Sequence, residues 1–287
     1  MKFKIFILFI FITMVAFKSD KPAYKIYTKS GKEVKYSKML KKLENADVVF
    51  FGELHNNPIA HWLQIELTQD LFEIKKENLI LAAEMFESDN QIIMDEYLSG
   101  LIKQSKFEDE MRLWSNYKTD YKPLVQFAKE NNLKFIASNI PRRYASVVFS
   151  KGFEGIDELS NEAKTYIAPL PIDYDPNVEC YKKMLSMGTG GMHSNDNLPK
   201  AQAIKDATMA HFIYKNLSPD RMLLHYNGTY HSDNYEGIVW YLKQKSENLS
   251  IVTIATVQQS DIDSLSEDFK DLADFILCIP ENMTTTY

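Results

Sequence analysis

Val48-Val49-Phe50-Phe51-Gly52-Glu53-Leu54-His55-Asn56-Asn57-Pro58 decides how this chain is read. An apolar run ends at a carboxylate and an imidazole two positions apart. The run from Asp47 to Gly52 is continuous rather than alternating, the pattern of a strand covered on both faces, as in a parallel sheet. Asn57-Pro58 then supplies an N-cap and a first-turn proline. Ile59, Leu63, Leu67 and Leu71 mark one face of the helix that follows.

Downstream the alternation continues. Leu79 to Phe86 is a second buried strand with Glu84 near its end, Lys134 to Ser138 a third, and Arg221 to Tyr226 a fourth. Ile251 to Val257 and Phe275 to Ile279 complete the series. Helices are expected at Asn90–Gly100, Phe107–Asn116, Leu124–Glu130, Ala201–Asn216 and Gly237–Lys245. Upstream, Tyr24–Tyr27 and Glu33–Tyr36 flank Ser30-Gly31-Lys32 as a hairpin, and Ser37–Leu43 is a short helix. Residues 144–200 lack a clear strand and read as a helical cap insertion. The expected fold is therefore α/β: a mostly parallel sheet with helices on both faces and that cap, in one domain over residues 20–287.

In such a sheet, ligands bind beyond the carboxyl ends of the strands. Those ends carry Glu53 and His55, then Glu84, then Asn139, Arg142 and Arg143, and last His225 and His231. Carboxylates and imidazoles gathered there suit a divalent zinc, manganese or iron ion, which would activate a bound water. Without metal, a Glu–His pair still serves as general base and orienter. An arginine nearby can hold a carboxylate or propionate in a two-pronged bond.

Blander readings stand beside these. Glu84 is also read as a buried acid paired with Arg142 or Arg143, and His225 as a satisfied core histidine. His61 lies opposite the Ile59–Leu71 stripe, which suits a surface position as well as a site. Gln202, Asp206 and Met209 share a helix face directed at the site or at the cap. The loop Met184–His193 holds Met192 and His193 among glycines. It reads as a soft ligand set for haem iron or copper, or as a flexible lid.

The net charge of −6, with both signs well mixed, sets aside nucleic acid as a partner. At the N-terminus, Lys2 and Lys4 precede a 13-residue apolar run from Ile5 to Phe17. That run is short of the ~20 residues that span a bilayer and reads as an export signal over residues 1–19. No cysteine follows it, so a lipoprotein is not indicated. The expected location is the periplasm or cell envelope. Cys180 and Cys278 read as two buried thiols or as a disulfide.

Taken together, Gly52-Glu53-Leu54-His55-Asn56-Asn57 with His61 and Gln64, Glu84-Met85-Phe86, Asn139-Ile140-Pro141-Arg142, Gln202…Asp206…Met209-Ala210 and Gly228…His231 resemble the ChaN family of haem-binding uptake proteins. That family is similar in fold to the Tiki metalloproteases and the erythromycin esterases. The resemblance implies an exported haem- or iron-binding protein; haem is the expected partner, with an outer-membrane uptake system and a second copy of the chain as further candidates. It also implies that Glu53, His55, Glu84 and His231 match the polar positions at which Tiki-like relatives act as metallohydrolases, with Arg142 beside them. A metal-dependent hydrolase of an ester or peptide bond is thus the alternative. By chemistry, His193, Met192 and Tyr230 are candidate haem contacts and Arg143 a propionate partner.

Overall fold

A computed structural model describes residues 21–187 and 196–287. The export-signal residues, Met192 and His193 lie outside the described residues. The strands are β1 (Lys25–Thr28), β2 (Glu33–Val34), β3 (Val48–Glu53), β4 (Leu79–Glu87), β5 (Lys134–Asn139), β6 (Met222–Gly228), β7 (Ile251–Gln259) and β8 (Phe275–Pro280). The helices are α1 (Tyr36–Leu43), α2 (Pro58–Lys75), α3 (Gln91–Leu98), α4 (Gln104–Glu110), α5 (Lys122–Glu130) and α6 (Arg142–Lys151). They continue with α7 (Glu154–Asp157), α8 (Asn161–Lys164), α9 (Glu179–Met187), α10 (Leu198–Asn216) and α11 (Ile238–Lys245).

The strands form one sheet in the order β2-β1-β8-β7-β3-β6-β4-β5. The six strands from β8 to β5 are parallel, and the β1–β2 hairpin adds an antiparallel edge. Gly31 turns the hairpin with a φ of 79°, which a glycine adopts without a Cβ penalty. The α/β class and mostly parallel sheet expected from the sequence are what the chain forms.

The period-2 geometry of strands explains the layers. Val49 and Phe51 face a core shared with Leu63, Leu67 and Leu71 of α2 and with Leu124 and Val125 of α5. Val48 and Phe50 face the opposite core, made with Ala203, Ala207 and Ile213 of α10 and Ile238 and Leu242 of α11. Every residue of β3, β4 and β6 is buried, so the continuous apolar runs are those of covered parallel strands. Full burial of a side chain such as Phe50 or Phe51 stabilises by about 1.5–3 kcal/mol.

Because β6 lies between β3 and β4, the carboxyl ends of these three strands are adjacent. Helices α6 to α9 supply the region read as a cap. A satellite core built from Ile140, Val148, Ile156 and Ile204 ties that region to α10.

The helix expected over Phe107–Asn116 is shorter: α4 ends at Glu110, and Met111 turns extended with a ψ of 142°. Arg112 is drawn out of the helix because Glu87 and Asp89, at the end of β4, bind its guanidinium. Tyr117–Tyr121 then form one π-helical turn, a wide turn that re-aims side chains.

Candidate functional site

Glu53 is the last residue of β3 and faces α2. Its carboxylate is 1% exposed, so it needs partners. Tyr121 donates to Oε1 at 2.6 Å, Gln64 donates to Oε2, and His55 Nδ1 lies 2.9 Å from Oε1. His61 Nδ1 meets Gln64 Oε1 at 3.1 Å, and its Nε2 lies 3.0 Å from the His55 carbonyl. Asn116 donates to the same carbonyl at 3.0 Å and to Asp120 at 2.7 Å. His55 is thereby held at backbone and ring, and Trp114 packs edge-on against it with centroids 4.9 Å apart. Burial works against charging His55, but its bond to Glu53 and the nearby Glu84 carboxylate outweigh burial and raise its pKa.

Glu84 lies on the other face of the sheet, the α10 side. Gly228 N–H donates to its Oε2 at 2.7 Å, and His231 Nε2 lies 3.2 Å from its Oε1. His231 Nδ1 contacts Asp206 of α10, whose second oxygen accepts from Tyr181 at 2.8 Å. Burial alone would raise the Glu84 pKa, but the charges of His231 and His55 hold it well below the usual range. Burial alone would lower His231, but Glu84 and Asp206 together hold it well above its ordinary value. Burial raises the Asp206 pKa, an effect that His231 only partly offsets. Gly228 sits where the two halves meet. A Cβ there would lie 2.7 Å from His55 Nε2, so only glycine lets the imidazole lie over this backbone.

A cleft of about 480 Å³ opens beside this network, lined in part by Glu84, Trp114, Ile140, Arg142, Lys205 and Tyr287. Arg142 is anchored through Nε to Glu87 at 2.5 Å, and Arg112 binds the other Glu87 oxygen at 2.7 Å. The pairing of Glu84 with Arg142 or Arg143 is therefore corrected. The arginines belong to Glu87 and Asp89, while His231 and the Gly228 amide satisfy Glu84. Arg143 turns away to Asp89 at 2.6 Å and stacks on Tyr144.

His61, which the sequence left between surface and site, is 6% exposed and belongs to the Glu53 network. His225 is a core histidine. Ser138 and Asn227 bond its two ring nitrogens at 2.9 and 3.0 Å, and burial lowers its pKa to about 4. The Tyr230 hydroxyl donates to the Cys180 carbonyl, and burial raises its pKa to about 12. Cys180 and Cys278 are buried free thiols. The sequence reading missed Trp114, Asn116, Asp120, Tyr121, Lys205 and Tyr287. Most lie in or beside a π-helical turn that leaves no periodicity to detect.

The donor set does not fit a zinc, manganese or iron ion. Among the described residues, no group of three or more His, Cys, Asp or Glu side chains converges to hold one. Glu53 and Glu84 sit on opposite sides of the sheet, and each is already saturated by protein donors. The arrangement is a carboxylate–imidazole network at the carboxyl edge of a parallel sheet, next to a partly cationic cleft.

Comparison with known proteins places this architecture. A family model described as haem-binding uptake, Tiki superfamily, ChaN matches residues 39–242, more than half of the chain. The chain belongs to that family. Its fold is similar to the ChaN of Campylobacter jejuni solved with cofacial haem, at a TM-score of 0.68 and 20% identity, covering 88% of this chain and 96% of that one. An erythromycin esterase in its open conformation aligns at a TM-score of 0.47 and 9% identity over 89% and 83% of the two chains. In sequence, the chain is 24% identical over 196 residues to the chloroplastic Protein RETICULATA-RELATED 5 of Arabidopsis thaliana. The match covers 64% of this chain and only 26% of that relative's length.

Proposed function

We propose that this chain is an exported haem-binding protein serving haem or iron uptake. The observation that carries the reading is the family match over residues 39–242. The site supports it. A flat apolar body with acidic side chains suits a cleft that has Trp114, Leu113 and Ile140 on its walls and Arg142 at its edge. Haem, when bound, supplies an iron centre that takes axial ligands. The chain's residues would exclude water from the macrocycle and pair its propionates. Arg142 is suited to a propionate because, among the described residues, its Nε alone is bonded, to Glu87.

Tyr230, His193 and Met192 remain the candidate iron contacts. Tyr230 would have to leave the Cys180 carbonyl and lose a proton that burial holds to about pH 12. Export is supported by Lys2, Lys4 and the apolar run Ile5–Phe17. Among the described residues no helix is long and apolar enough to cross a membrane. The partners that accompany this reading are an outer-membrane uptake system and a second copy of the chain. Titration of the purified protein with hemin tests it: a saturable Soret shift is expected, and a spectrum no different from that of free hemin would end the reading.

A further inference from the structure

We infer that Arg142 and Lys205, on two walls of the cleft, form a carboxylate-binding subsite that seats an acidic arm of a flat, apolar-bodied ligand. The inference rests on the haem reading only for the identity of the ligand body.

Lys205 lies on α10, next to Asp206 in sequence. Asp206 turns inward to His231 and Tyr181. The 100° step of a helix therefore swings Lys205 toward the cleft, which it lines. Lys205 is half-buried, and no carboxylate among the described residues lies within ion-pair distance of it. An ammonium on a cleft wall with no carboxylate beside it among the described residues is open to donate a charge-assisted hydrogen bond to an incoming anion.

The acids of the same cleft cannot provide that counter-charge. His231 and the Gly228 amide take up Glu84. Arg112 and Arg142 share Glu87. With these pairs discounted, Lys205 is the charged side chain of the cleft left without an ion-pair partner among the described residues. The two cations are chemically complementary: Arg142 offers the flat edge of a guanidinium whose terminal nitrogens have no partner among the described residues, and Lys205 a mobile point charge. Leu113, Trp114, Ile140 and Tyr287 give the same cleft apolar and aromatic surface, beside the polar Ser115, Asn116 and Asn139. That combination can hold an acid whose body brings an aromatic or apolar face to Trp114 and Ile140.

The probes are iron-free protoporphyrin IX, a diacid, and its dimethyl ester, offered from the same detergent stock and followed by tryptophan quenching. The wild-type chain is expected to hold the diacid at least about tenfold tighter than the ester. Lys205→Ala and Arg142→Ala should each lose about that factor for the diacid and leave the ester unchanged. Lys205→Met, which keeps the stem's packing, carries the same expectation, and Lys205→Arg should retain most of the binding. Equal affinity for diacid and ester, or variants that keep wild-type circular dichroism and bind the diacid within about twofold, would overturn the subsite. A missing Soret shift with hemin beside intact protoporphyrin binding would end the haem reading and leave the subsite standing. A hemin shift insensitive to both cations would do the reverse.

Discussion

His231 Nε2 lies 3.2 Å from Glu84 Oε1, and both residues are only 6% exposed. The contact joins β4 to the turn after β6. It turns two adjacent strand ends into one charged unit, with Asp206 of α10 behind it. Removing one partner from a buried pair leaves an uncompensated charge, which typically costs about 3–5 kcal/mol.

The pair sets a pH dependence. The His231 pKa is raised above its ordinary 6.5, so its contribution is complete below that value and declines as pH rises past it. The Glu84 pKa is depressed from 4.5, so its contribution is complete above that value and is lost only as pH falls well below it. Both contributions are full between those two values. Burial raises the Asp206 pKa, which adds a cost as pH climbs. Urea unfolding should therefore show His231→Gln to be destabilised most near pH 6, with the gap to wild type narrowing toward pH 9. A gap that widens over this range would contradict the assignment.

Gly228→Ala tests the close approach at the centre of the site. The new methyl would meet His55 Nε2 at 2.7 Å and Cε1 at 2.8 Å. Overpacking of this kind costs about 1–3 kcal/mol and displaces the movable partner, here the imidazole. The expected outcome is a folded protein whose His55 ring resonances and titration move while those of His211, which packs on Phe212 beside Lys215 and Lys245, do not. An unmoved His55 would show that the approach is looser than described.

Thr286 ties the C-terminal segment to the site. Its N–H donates to the Asn56 carbonyl at 2.9 Å, and its hydroxyl to Asp120 Oδ2 at 3.0 Å. Asp120 in turn holds Asn116, which holds the His55 carbonyl. Thr286→Val keeps the backbone bond and removes the hydroxyl, with an expected loss of about 1 kcal/mol. Hydrogen exchange should quicken over residues 116–121 and 55–57 ahead of the sheet. Uniform quickening across the sheet would mean that the segment stabilises the fold as a whole.

Tyr121→Phe removes one of the donors that satisfy the buried Glu53 carboxylate. A buried acceptor left short of a partner costs about 1–3 kcal/mol. The ring's edge-on packing with His61, centroids 5.2 Å apart, is kept, so thermal unfolding should register the lost hydrogen bond alone. An unchanged melting temperature would mean that Gln64 and His55 suffice.

The sheet was legible because its strands are covered on both faces, and such strands spell themselves as runs like Val48–Phe51. Glu53 and His55 were legible because a carboxylate closing a buried run has few bland explanations. Partners were harder to read. Glu84 satisfies itself with Gly228, 144 positions away in sequence, and no local pattern distinguishes that from Arg142, which is far nearer in sequence. Trp114, Asn116 and Tyr121 were hidden because Arg112 breaks the helix for a charge contact and a π-helical turn follows. Lys205 was hidden because a lysine on a helix normally marks a solvated face.

The central claim is that this family member binds haem, and hemin titration tests it most directly. The account predicts a saturable Soret shift at a fixed hemin-to-protein ratio, weakened by Arg142→Ala, with circular dichroism unchanged. A hemin spectrum that never departs from that of the free porphyrin, in a protein shown to be folded, would contradict it.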